Sequence, residues 1–209
     1  MRTRLRGDAG QAFPIYIVMV AGLLFLALAF FAVGKAAALR NDSQGAADAA
    51  ALAAAQQARD DFGTGFYASL PRNTLDIFLG APFAPPCYEA ERLAGANEAD
   101  MTYCEPSFGY LRDLIKVKVE GRDPVDSPVL PGSEKKFAKA KATALIEFRC
   151  PNPTAIDGNS DGVMDLFIFT CRNGKIIKIV PSSPPPWESV STTLFDVRLV
   201  DSDSEANDE

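Results

Sequence analysis

Nine consecutive residues have the types and spacing to hold a hard cation: Asp157–Asp165, D-G-N-S-D-G-V-M-D. Asp157, Asn159 and Asp161 fall at positions 1, 3 and 5 of a calcium-type loop, with Gly162 at the turn position 6. The Val163 carbonyl stands at position 7 and Asp165 at position 9. Oxygens on alternate residues converge on one ion because the glycine folds the loop back. The twelfth position is Ile168, where an EF-hand carries a bidentate Glu, so this is not an EF-hand. Asp, Asn, Gly and Ser are also ordinary turn formers, and a plain polar loop is the competing reading. A single loop of this kind, open to an extracytoplasmic medium, would bind Ca²⁺ at about 10⁻⁴–10⁻³ M.

The remaining reactive groups are four cysteines: Cys87, Cys104, Cys150 and Cys171. Four cysteines allow three connectivities. The sequential pairing, Cys87 with Cys104 and Cys150 with Cys171, closes two short loops and is the expected one. A metal site is less suited to them, since no C-x-x-C spacing occurs and the chain has no histidine. That absence also removes the commonest general base and every Ser-His-Asp or Cys-His device. No paired carboxylates lie in an apolar context. The expectation is a protein that is not an enzyme, with no small-molecule substrate and, Ca²⁺ apart, no cofactor.

Charge is distributed unevenly over the 209 residues. Residues 1–40 hold Arg2, Arg4, Arg6, Lys35 and Arg40 against Asp8, while residues 41–209 hold 16 bases and 26 acids, a net of −10. An acidic body of this kind is unsuited to nucleic acid, which needs basic surface to meet phosphate.

The element that must position these groups begins upstream. No charged residue occurs from Ala9 to Gly34. Ala12–Val33 as a helix spans roughly 33 Å, enough to cross a bilayer core of about 30 Å. Three arrangements suit the N-terminus: a cleaved secretory signal, a plain anchor with its N-terminus inside, and a pilin-type leader. The apolar run is longer than a signal core, and Lys35 separates it from Ala36-Ala37-Ala38, so a retained anchor is expected. The cysteines would then lie beyond the membrane, where disulfides persist.

Lys35–Phe62 should continue as helix, because twelve of its residues are alanine. Ala46, Ala50, Ala53 and Ala54 form a small-residue face at helical spacing. Such a face either receives a partner backbone or covers the chain's own sheet. Gly63 and Gly65 should end the helix, Gly63 as its C′ residue.

Three features carry a family resemblance: Arg6-Gly7, Gly10-Gln11-Ala12 before the apolar run, and Ala47-Asp48-Ala49-Ala50-Ala51-Leu52-Ala53 after it. Residues 6–58 resemble the start of TadE/TadG-like proteins of the tight-adherence (Flp) pilus assembly system. The resemblance implies a membrane-anchored structural component that contacts other pilus assembly or envelope proteins, on a pilin-like plan of one long helix bearing a sheet. Members processed like prepilins carry Glu five residues after a glycine. Here that place is Ile15 counted from Gly10 and Ala12 counted from Gly7, so the anchor is expected to be retained.

The rest of the chain reads as α+β. Asn73 caps a short helix, Thr74–Leu79, and Tyr88–Ala94 is a second, followed by a loop over Gly95–Cys104. Leu111–Glu120 alternates Ile115, Val117 and Val119 with Lys116, Lys118 and Glu120, as in a half-buried strand. Gly121–Lys136 is loop, and Lys139–Phe148 is a strand. Asn173-Gly174 turns a hairpin between Leu166–Arg172 and Lys175–Val180. Pro181–Pro186 is a stiff linker, Thr192–Val200 a last strand and Asp201–Glu209 an acidic disordered tail. About five mainly antiparallel strands result.

The expected organisation is a cytoplasmic basic tail (1–11), a transmembrane helix (12–34), an Ala-rich extracytoplasmic helix (35–62), a disulfide-containing head (63–200) and the tail (201–209). The Asp157–Asp165 loop also resembles the strand-flanked calcium repeats of extracellular adhesion proteins. The alternative function is therefore a calcium-binding, membrane-tethered adhesion or sensory module.

Overall fold

A computed structural model of the protein describes residues 12–126 and 132–201. The basic tail, most of the acidic tail and the middle of the Gly121–Lys136 loop lie outside the described residues. The chain is built on one helix, α1 (Ala12–Ser69), followed by α2 (Leu75–Leu79) and α3 (Cys87–Ala96). Strands β1 (Ala99–Ser107), β2 (Arg112–Pro124) and β3 (Phe137–Phe148) come next, with a 3₁₀ turn at Ser133–Lys135. Then follow β4 (Thr154–Ile156), β5 (Leu166–Thr170), β6 (Ile176–Ile179), α4 (Trp187–Leu194) and β7 (Phe195–Val200). The architecture is α+β, with antiparallel sheets ordered β1-β2-β3-β7 and β4-β5-β6.

α1 does not stop at Gly63. It continues to Ser69, and Pro71 follows two residues later, where a proline cannot extend a helix and biases Leu70 away from it. The two glycines serve close approach instead of termination. A Cβ on Gly63 would lie 2.7 Å from Trp187 Cγ, and one on Gly65 would lie 2.7 Å from Phe78 Cε2. Trp187 also donates from Nε1 to the Arg59 carbonyl at 3.0 Å, which pins α4 across α1.

Seven strands replace the expected five because a bulge interrupts the alternation of β1 and β4 is only three residues long. Residues 99–104, expected as loop, belong to β1, whose Ala99 is buried and whose Met101 and Cys104 pack on the core, while Asp100, Thr102 and Glu105 are exposed. It holds its place by pairing along β2, with a bulge at Thr102, and as an edge strand it accepts Pro106. β4 is three residues long and pairs with β5. Thr192–Leu194, expected as strand, belong to α4, and the strand begins at Phe195. Asn73 is not the cap of α2. It sits at φ 50°, a left-handed turn position, and Thr74 is the N-cap.

The core lies between α1 and the four-stranded sheet. Ile115, Val117 and Val119 of β2 point inward, with Ala142, Ala144, Ile146 and Phe148 of β3. Lys116 and Lys118 face solvent. At the distal end an aromatic cluster closes the core: the Phe66 ring centroid stands 5.2 Å from Trp187, 5.7 Å from Phe169 and 6.1 Å from Phe195.

Candidate functional site

The small-residue stripe of α1 is continuous. Ala46, Ala47, Ala50, Ala51, Ala54, Ala55 and Ala58 are buried beneath β2, β3 and α3. Of the face expected from spacing, Ala46, Ala50 and Ala54 belong to this stripe and Ala53 lies half-buried at its margin. The stripe is filled by the chain's own head. Methyl-sized side chains let the helix axis approach the sheet closely.

Over residues 13–31 the same helix is bare. Leu24, Phe30 and Phe31 are 61%, 76% and 68% exposed, and this segment is long and apolar enough to cross a membrane.

The head is cross-braced. Cys87 is bonded to Cys104, which joins α3 to β1, and Cys150 to Cys171, which joins the end of β3 to the end of β5. Beside the second bridge, Glu147 receives Arg172 Nη1 at 2.6 Å and Arg198 Nη1 at 2.9 Å, with Arg112 Nε at 3.9 Å. Burial pushes the Glu147 carboxyl up, but the guanidinium of Arg198, then those of Arg172 and Arg112, hold it below the usual carboxylate range. Asp196 pairs with Arg149 and Arg198 in the same network. Nothing in the local sequence signalled these pairs, because their partners come from four separate strands and turns.

An apolar cavity of about 210 Å³ opens beside the distal cluster, lined by Phe62, Phe78, Phe83, Leu111, Phe148 and one acid, Asp113. Burial raises the Asp113 carboxyl to about 6, against a lowering contribution from the Gly109 N–H at 3.2 Å. These aromatic walls were legible only as scattered phenylalanines.

The Asp157–Asp165 loop joins β4 to β5. Asp157 Oδ2 accepts from the Gly162 N–H at 2.8 Å, Asn159 Oδ1 from Asp161 N–H at 3.0 Å and Asp161 Oδ1 from Val163 N–H at 2.8 Å. Asp165 Oδ2 accepts from the Gly158 N–H at 2.8 Å. Gly162 adopts φ +85°, the left-handed turn that position 6 requires. Met164 N–H donates to the Pro71 carbonyl at 3.0 Å and docks the loop against the end of α1. Asp157 Oδ1 is buried without a hydrogen-bond partner. Among the described residues no group of three or more His, Cys, Asp or Glu is placed to hold a metal ion.

Comparison with known families finds a match in the N-terminal segment. Residues 10–57 match the Flp pilus-assembly TadE/G-like family. The TadE/G-like segment covers the bare half of α1 and nearly all of the alanine stripe, and ends before the aromatic cluster, the disulfides and both sheets. No curated protein and no solved structure matches the chain.

Proposed function

We propose that this protein is a membrane-anchored structural component of a Tad/Flp-type pilus assembly apparatus or a related surface assembly. Its contacts are made by α1 in the membrane and by the head outside it. The observation that carries the reading is the TadE/G-like match over residues 10–57 on a helix whose first half is apolar and exposed. The N-terminus lies in the cytoplasm and the head is extracytoplasmic, a placement supported by two disulfides in the head. The role is structural, not catalytic, in keeping with the absence of histidine. The anchor is retained, in keeping with Ile15 at the place of the prepilin glutamate. Detergent extracts of cells carrying the tagged full chain test the reading. Co-purification of pilus-apparatus proteins is expected, and recovery of wall or host ligands in their place would favour an adhesion module and overturn it.

A second reading is supported by the free, buried Oδ1 of Asp157 inside a loop folded at Gly162. In it Asp157, Asn159, Asp161, Asp165 and the Val163 carbonyl take one Ca²⁺, which neutralises three carboxylates crowded in nine residues. The ion's part is structural. Calcium at millimolar concentration should raise the melting temperature by mass action, and Asp161→Ala should abolish the rise. An unchanged melting curve, with no heat in titration calorimetry, would leave the nine residues a polar hairpin loop.

A further inference from the structure

Two exposed flanks of the head, one on each side of α1, carry opposite charge at the same height. On the first, Arg40 of α1, Lys118 of β2 and Lys139 and Lys141 of β3 line a cleft of about 420 Å³ that no carboxylate lines. Lys139 is neutralised by Glu120 at 3.4 Å, and Lys118 rests over the Tyr103 ring at 4.6 Å. Among the described residues, Arg40, Lys118 and Lys141 have no carboxylate in ion-pair reach.

On the second flank, Asp42 of α1, Glu98 before β1 and Asp123 of β2 line a cleft of about 290 Å³ with Arg122. Arg122 is taken up by Asp100 at 2.7 Å, which leaves the three acids in excess. The α1 residues of the two clefts, Leu39–Ser43 and Arg40–Gln44, occupy the same turn and a half of helix. At 3.6 residues per turn they point about 120° apart, so one copy cannot bring its own flanks together.

We propose that the basic flank of one copy docks on the acidic flank of the next. The proposal rests on the reading of α1 as a membrane anchor, because parallel anchors set all heads at one height and bring the two flanks level. Each exposed ion pair adds little by itself. Anchors in one bilayer supply the missing affinity by holding neighbours at high effective concentration, while the charges select face and register. The contact joins two different surfaces, so it repeats head-to-tail and builds a ring or an open row. That geometry suits a component of a surface assembly.

The test uses the full chain in lipid vesicles, as a mixture of isotopically light and heavy protein. A zero-length carbodiimide then joins carboxylates to amines. Light-to-heavy links from Lys118 or Lys141 to Asp42, Glu98 or Asp123 are expected, with a yield that falls by about tenfold at about 0.5 M salt, where the screening length is only about 4 Å. Lys118→Glu with Lys141→Glu should lose these links, and so should Asp42→Lys with Asp123→Lys. Mixing the two variants should form reversed links, from the lysines introduced at 42 and 123 to the glutamates introduced at 118 and 141. Failure of the mixture to link, or equal yields at distant Lys175 and Lys178, would overturn the proposal. Carbonate extraction of the same vesicles reports the anchor separately. Protein stripped by carbonate refutes the anchored reading, and protein that resists carbonate without flank links refutes the docking alone.

Discussion

The two halves of α1 belong to one helix and use their apolar residues for opposite ends. Over residues 13–31 most side chains are Leu, Phe, Ile and Val, and the large ones are exposed. Over residues 46–58 the apolar side chains are chiefly alanine, and seven of them are buried. The difference is one of size. Large side chains suit lipid, which fills the space around them and needs no fixed partner. A sheet has fixed partners, and a helix that must lie close to it carries methyl groups.

The largest expected effect concerns what the head needs and the bare half does not. Replacing Cys150 and Cys171 by Ser should lower head stability by about 3 kcal/mol, because a loop of some twenty residues is released in the unfolded chain. Denaturant unfolding followed by Trp187 fluorescence measures it. An unchanged midpoint would mean that the Glu147 network alone holds the second sheet to the first.

Size itself is tested next. Ala54→Leu forces extra methyl groups between α1 and the sheet and should cost about 1–3 kcal/mol. Leu24→Ala, in the exposed half, should leave the melting temperature of the head unchanged. Equal effects at the two positions would break the contrast.

Glycines sharpen it further. Gly45 has nothing within 4 Å of an added Cβ, whereas Gly63 has Trp187 at 2.7 Å. Gly45→Ala should therefore stabilise the helix by about 1 kcal/mol. Gly63→Ala should destabilise the protein despite the same gain in helix propensity, because the indole must move. Thermal melts of the two variants should shift in opposite directions.

The smallest effect is at Asp113. Its folded carboxyl titrates at about 6, above the ordinary 3.8. Between those values the native state keeps a proton that the unfolded chain has released, so stability falls as pH rises from about 4 to about 6 and is level above. Asp113→Asn should remove that slope, raise the melting temperature at pH 7 and leave it unchanged below pH 4. The gain should be under about 1 kcal/mol, since the carboxyl is half-exposed and screened. A melting temperature that rises with pH over that window in the wild type would show that other carboxylates dominate.

Local chemistry in the sequence was enough for the apolar segment, the alanine helix, strands β2 and β3, the Asn173-Gly174 hairpin and the sequential cysteine pairs. Each rests on a period, a composition or a short loop contained within a few turns of chain. The spacing of the Asp157–Asp165 loop was equally visible, and Gly162 adopts the turn expected of it. Tertiary structure alone explains why α1 runs through Gly63 and Gly65, which leave room for the rings of Trp187 and Phe78, whereas its stop before Pro71 is a local signal. The tertiary structure alone decided that β1 is a strand, since the bulge at Thr102 breaks the alternation by which Ala99, Met101, Cys104 and Pro106 share the inward face of Val119, Val117 and Ile115. The Glu147 arginine cluster and the two charged flanks of α1 likewise exist only once separate strands and helix turns meet, for charge acts through space and leaves no spacing to read.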